Sequence, residues 1–247
     1  MLKLRLRGRQ RHRQLAENLA VGVQRVAGLA PLVVGNSRPS RHGATVPILV
    51  TSAHPTTRCI LARMGVFRLG MLTSSPASQQ RALLAAPTFA ALETLGWLDS
   101  VGVVEIDPVV SDTTRSQEAY QLPPQTLANC VVVGGRREGL ERVAACIVLF
   151  TTRADVNGIV RRRLDVRKAS FLPTERVVDL TGMEYGGINP IGLPEDWPIL
   201  VDRRVVETEV VLTGSGVRKS KLLLPGSLLA RLPGAEIVDG LGLPIAH

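Results

Sequence analysis

Few side chains in this sequence are suited to covalent or metal chemistry. The four histidines are His12, His42, His54 and His247, three near the start and one the last residue. Between them runs a stretch with no histidine, which argues against Ser-His-Asp and Cys-His mechanisms and against a histidine-based metal site. Cys59, Cys130 and Cys146 are odd in number and widely spaced, so neither a disulfide framework nor a zinc pattern is suggested. Cys130 and Cys146 fall in apolar runs and read as buried thiols rather than nucleophiles. No GxGxxG or GxxxxGK[ST] is present, and GSGVRKSK has the wrong spacing for a phosphate-binding loop. Asp155, Asp202 and Glu195 could each act as acid or base, but capping or surface roles suit each of them alone.

What remains is main chain. Gly186-Gly187-Ile188-Asn189-Pro190-Ile191-Gly192-Leu193-Pro194 is a tight Gly-Pro loop, and Thr213-Gly214-Ser215-Gly216 is a small-residue turn after a strand. Glycine lets backbone approach a ligand and exposes N–H groups. Two such loops at strand ends can form an anion or carbonyl site, although most Gly-Pro loops are only turns.

The elements that would position these loops follow from periodicity and caps. Residues 74–86 and 87–98 read as helical stretches that meet at Pro87, which breaks or kinks the helix. VGVVEIDPVV is a β-branched strand. Asp112 caps a helix through TTRSQEAYQL that Pro123-Pro124 ends. LANCVVVGG and RVAACIVLFTT form an antiparallel hairpin around GRREGLE. DVNGIVRRRLDV is a helix capped by Asp155, RKASF is a strand, and PTERVVDLTG is a helix closed by Gly182. PILVD, EVVLTG and KLLLPG are strands, GSLLARLPG is a short helix and AEIVDG is the last strand. Without a strict βαβ rhythm, this order predicts an α+β fold: a mixed, partly closed barrel-like sheet with surrounding helices.

The net charge is +9, but it is unevenly spread. Residues 1–66 carry eleven Lys/Arg against Glu17 alone, whereas residues 67–247 carry nineteen Lys/Arg and twenty Asp/Glu. The surplus therefore belongs to the opening segment and says little about what the rest binds. That segment, 1–66, reads as separate from a domain spanning 71–245. A transit peptide or a basic RNA-binding arm has this balance, and a start at Met64 or Met71 is the preferred reading. No apolar run is long enough to span a bilayer, and a reducing cytoplasm is the expected compartment.

LTGMEYGGINPIGLPEDWPILVD, followed by EVVLTGSG and LLLPGSLLARL, resembles the YbaK/prolyl-tRNA-synthetase-associated family over roughly residues 75–242. The shared pattern is a Gly-Gly-x-x-Pro loop, a Gly-Leu-Pro, a strand ending in Asp, then a small-residue turn and a closing helix. The resemblance implies a barrel-like body with a pocket for the 3′ aminoacyl end of tRNA and hydrolysis of mischarged aminoacyl-tRNA in trans. It implies no cofactor and no metal; the substrate's ribose hydroxyl and a bound water supply much of the chemistry. Association with an aminoacyl-tRNA synthetase is left open.

By the same resemblance, Asn129, Gly186, Gly187 and Pro190 are the catalytic positions. Thr213, Gly214, Ser215 and Ser220 contact substrate. The family carries a lysine that meets the terminal nucleotide's phosphate, and Asn129 takes its place here. That exchange predicts weakened activity unless Arg136 or Arg137, on the following hairpin turn, restores the charge. Two other readings stay open: a non-catalytic module of the same fold that binds a tRNA end, nucleotide or protein, and a small-molecule enzyme that reuses the pocket.

Overall fold

The computed structural model describes residues 65–245. Apart from Gly65 and Val66, the basic segment lies outside the described residues, as does His247. The folded body takes in residues just before Met71. A hairpin of β1 (Arg68–Leu69) and β2 (Leu72–Thr73) turns at Gly70, whose φ of +54° suits glycine. It is pinned by Ser74, whose Oγ accepts from the Phe67 N–H at 2.8 Å and donates to the Gly65 carbonyl at 3.0 Å.

Downstream of β3 (Ser75–Pro76), residues 77–83 form two 3₁₀ turns rather than the expected helix, and α1 (Ala86–Thr94) begins only where Pro87 enters its first turn. Proline lacks an N–H, and the first turn of a helix is where that loss costs nothing. β4 (Gly102–Glu105) leads to α2 (Thr113–Ala119), capped as expected by Asp112, which accepts from Arg115 N. β5 (Ala128–Arg137) and β6 (Leu140–Leu149) form the hairpin. Its two turn residues, Glu138 and Gly139, both have positive φ, the backbone twist that matches paired strands.

β7 (Thr152–Ala154) is followed by a π-helical turn, 156–160, that runs into α3 (Arg161–Leu164). Asp155 caps it, accepting from Gly158 N and Ile159 N at 2.9 Å each. Then come β8 (Ala169–Phe171), α4 (Thr174–Thr181) ended by Gly182, and β9 (Ile199–Asp202). α5 (Arg203–Glu207) was not expected; Asp202 caps it by accepting from Arg204 N. β10 (Val211–Gly214), β11 (Ser220–Leu224), α6 (Gly226–Leu229), β12 (Ala235–Val238) and β13 (Gly242–Pro244) complete the chain.

The fold is α+β with two larger sheets. One has the order β10-β11-β4-β3; the other has β12-β9-β6-β5-β8 and mixes parallel pairs (β12-β9, β6-β9) with antiparallel ones. The sheets do not close into a barrel. Among the described residues an isolated parallel bridge, Leu127 to Leu212, joins them at the leading edge of β5. Between them lies the main core, with Val103, Leu222 and Leu224 from one sheet and Ala145, Ile147 and Val201 from the other. Strand parity sorts β11: Leu222 and Leu224 enter this core, whereas Leu223 packs on the opposite face with Val104 and Leu127.

Candidate active site

β8 pairs with β5 at Val133–Gly135, while β10 bridges to Leu127, the residue just before that strand. Between those two points the strands part, and a cavity of ≈ 510 Å³ opens beside residues 128–131. Its other walls are Leu212, Thr213 and Gly214 of β10, Lys221 of β11, the approach to α2 from Ser111, and the loop residues Tyr185, Gly186 and Ile188.

Two residues of the wall, Ser111 and Thr213, carry buried hydroxyls without a hydrogen-bond partner among the described residues. Their residues are 1% and 2% exposed. A buried hydroxyl left unpaired costs about 1–3 kcal/mol, and buried polar groups in native proteins are otherwise almost always paired. Asn129 lines the same wall, with its Oδ1 accepting from Thr113 Oγ1 at 2.8 Å.

Lys221 brings a cation. The residue is 6% exposed, and its Nζ donates to the Gly186 carbonyl at 3.0 Å. Burial above all, and then the charge of Arg218, push its pKa down to about 8, with Asp112 pulling weakly the other way. Arg115 and Arg218 also line the cavity. Arg115 pairs with Asp112 at 3.3 Å. Arg218 reaches the carbonyls of Tyr185 and Pro108 at 3.2 and 3.3 Å, and its backbone N–H donates to Glu184 at 2.7 Å.

The expected site residues divide in two. Asn129, Gly186, Thr213 and Gly214 line one cavity; Gly187, Pro190, Ser215, Ser220, Arg136 and Arg137 do not. Gly187 and Gly214 are glycines for a reason other than ligand approach. A Cβ on Gly187 would stand 2.7 Å from Val217 N, and one on Gly214 would stand 2.2 Å from the Gly187 carbonyl oxygen. The two loops press backbone on backbone, sealed by the Gly216 N–H to Gly187 carbonyl bond of 2.7 Å. The loop's other end is held by buried Asn189, which accepts from Ile191 N at 2.8 Å and donates to Thr88 at 3.0 Å. Pro190 is buried beside it.

Ser215 and Ser220 hydrogen-bond to each other at 2.7 Å, and Ser220 donates to the Leu83 carbonyl, on the face of β11 away from Lys221. Arg136 is exposed on the hairpin, and Arg137 pairs with Asp165. Neither replaces a charge in the cavity.

The remaining candidates are structural. Asp202 caps α5 and accepts from Gly242 N at 2.7 Å; burial alone would raise its pKa, but bonds from Arg204 and Gly242 outweigh it and hold the carboxyl below its ordinary value. Asp155 is a cap, and Glu195 is exposed. Cys130 borders the cavity, but burial first and Cys146 second push its thiol far up, and burial pushes Cys146 to about 12. Both are therefore protonated thiols, not thiolates. Among the described residues no His/Cys/Asp/Glu group is arranged to hold a metal ion, and no helix is long and apolar enough to cross a membrane.

Sequence reasoning missed Ser111, Lys221, Arg218 and Tyr185. One signal was available: across the Gly214–Ser220 turn, hairpin pairing sets Lys221 directly opposite Gly214, a position the glycine-rich turn already singled out.

A family model described as the aminoacyl-tRNA editing domain matches residues 107–232. A crystal structure of a candidate trans-editing enzyme for prolyl tRNA synthetase is similar at 22% identity and a TM-score of 0.53, covering 67% of this chain and 96% of that one. A hypothetical protein is similar at 16% identity and a TM-score of 0.55, covering 64% and 99%. A scaffold used for computational epitope grafting is similar at 23% identity and a TM-score of 0.53, covering 63% and 95%. At these identities the likeness is one of fold. No curated protein matches the chain.

Proposed function

The chain belongs to the aminoacyl-tRNA editing domain family, and on that premise we propose that it hydrolyses the ester of mischarged aminoacyl-tRNA in trans, in the cytoplasm. The observation that carries this reading is the buried ammonium of Lys221, held by the Gly186 carbonyl on a cavity that Asn129, Gly186 and Thr213 also line.

In the proposed reaction a water oxygen adds to the ester carbonyl carbon. The bond to the ribose oxygen then breaks, and that oxygen leaves with a proton as a hydroxyl. Negative charge develops on the carbonyl oxygen, and donors fixed in advance lower the barrier. The Asn129 amide is a neutral donor on the wall. Lys221 is the charge that meets the terminal phosphate, so the cation expected on β5 comes from β11 instead. This differs from the expectation that Asn129 leaves the site short of charge.

The test is a panel of tRNAs charged with cognate and non-cognate amino acids, with release of free amino acid as the readout. Hydrolysis of one or more mischarged species, lost in Thr213→Val, supports the reading; retention of every charged species by a folded protein rejects it. One observation favours a second reading, a module that binds the tRNA end without cutting it. The carboxylate on the cavity wall, Asp112, is already committed to the α2 cap and to Arg115, which leaves no evident base. Tight retention of charged tRNA without release of amino acid is the outcome that reading requires.

A further inference from the structure

The cavity mouth carries an aromatic ring that the core does not use. Tyr185 is 63% exposed, although only two tyrosines occur in the chain. The other, Tyr120, packs against a core cluster and accepts from Asp107 N at 3.0 Å. A single exposed apolar residue is unremarkable on a protein surface. Tyr185 differs because a second flat group is held over one face of it: the Arg218 guanidinium carbon lies 5.9 Å from the ring centroid. That guanidinium is fixed by the Tyr185 and Pro108 carbonyls. Its side-chain hydrogen bonds therefore go to neutral acceptors among the described residues. Gly186 completes the arrangement, because a Cβ there would stand 3.1 Å from Arg218 Nη1.

We infer that Tyr185 and Arg218 form the platform on which the terminal nucleobase of the acceptor strand stacks. This rests on the deacylase reading of the same cavity. Exposed aromatic rings and planar guanidinium groups are the two protein surfaces on which bases of single-stranded RNA stack. The next residue after Tyr185, Gly186, is the one whose carbonyl holds Lys221. Base and phosphate thus each have a chemically matched surface within one cavity: the ring with its guanidinium, and the ammonium.

The experiment is calorimetric titration of the full chain with adenosine 5′-monophosphate and, separately, with ribose 5-phosphate, which keeps the phosphate and lacks the base. The nucleotide should bind about tenfold tighter or better, the range a base–aromatic stack supplies. Tyr185→Ala should erase that advantage, Tyr185→Phe should keep it, and ribose 5-phosphate should bind all three proteins alike. Equal affinity of the natural protein for both probes overturns the platform, as does absence of nucleotide binding or a Tyr185→Ala loss that affects both probes equally. Hydrolysis of mischarged tRNA, run in parallel, separates the two ideas. A base preference that depends on Tyr185 without any hydrolysis retires the deacylase and keeps the platform; hydrolysis without a base preference does the opposite.

Discussion

The ammonium of Lys221 lies 3.0 Å from the carbonyl oxygen of Gly186, which ties the cavity's buried cation to the loop that forms its rim. The contact spans thirty-five residues of sequence and satisfies only one of the three protons an ammonium can donate. A phosphate oxygen entering the cavity would find a donor already oriented by the first.

Replacing Lys221 with methionine therefore tests the charge with little change in volume. Charge-assisted hydrogen bonds are worth about 1.5–3 kcal/mol, so kcat/KM for a mischarged tRNA should fall roughly tenfold to a hundredfold. Thermal stability should hold or rise, since an apolar residue in place of a buried ion is often neutral or stabilising. A variant that melts lower and keeps its activity would assign Lys221 to the scaffold.

The pH dependence of the natural protein should split in two. Lys221 has its pKa pushed from 10.5 to about 8 in the folded state, by burial first. Activity that needs the ammonium declines as pH rises through about 8. Stability moves the other way: between the folded and unfolded values the unfolded chain binds more protons, so this group's contribution increases from pH 8 towards 10.5. Both trends should disappear in Lys221→Met, which separates them from other groups that titrate in that window.

Asn129→Lys is expected to bring no gain in the natural background. A second ammonium would enter a cavity where burial and Arg218 already disfavour the first. In Lys221→Met the same substitution should recover activity, because it returns one positive charge to the shared wall. An increase in turnover from Asn129→Lys alone would mean that Lys221 does not serve the substrate.

Thr213→Val should stabilise the protein while slowing it. The substitution removes a buried hydroxyl without a partner among the described residues, recovering some of the roughly 1–3 kcal/mol such a group costs. A higher melting temperature together with a lower kcat/KM is the signature of a group kept for the ligand rather than for the fold. Gly187→Val gives the contrasting result. Its side chain would collide with the Val217 backbone, so loss of activity should accompany loss of fold, measured as a lower melting temperature or insoluble protein.

These contrasts follow the line between what was legible in the sequence and what was not. The β5–β6 hairpin, the Asp112 and Asp155 caps and the Gly182 stop are local signals, and they place α2, α4 and the central strands. α5 escaped because RRVVE is β-branched and sits between two strands, so its helix rests on the Asp202 cap alone. Asn129, Gly186 and Thr213 could be chosen from a motif because each lies at a strand end or in a tight loop. Ser220 could not be told from Lys221, because adjacent residues on one strand face opposite ways and the sequence alone does not say which face the cavity takes. Ser111 and Thr213 stand about a hundred residues apart, and only tertiary packing joins them.

The isolated bridge from Leu127 to Leu212 bears on how this pocket can diversify. Where a barrel closes on itself, the interior diameter is set by strand number and stagger. Here two slabs lean together over a filled core, and the gap between them depends on the bulk of residues such as Ile147 and Leu222 behind the wall. A lineage can thus change which acyl group fits by drift at positions that never meet a substrate, leaving Lys221 where it is.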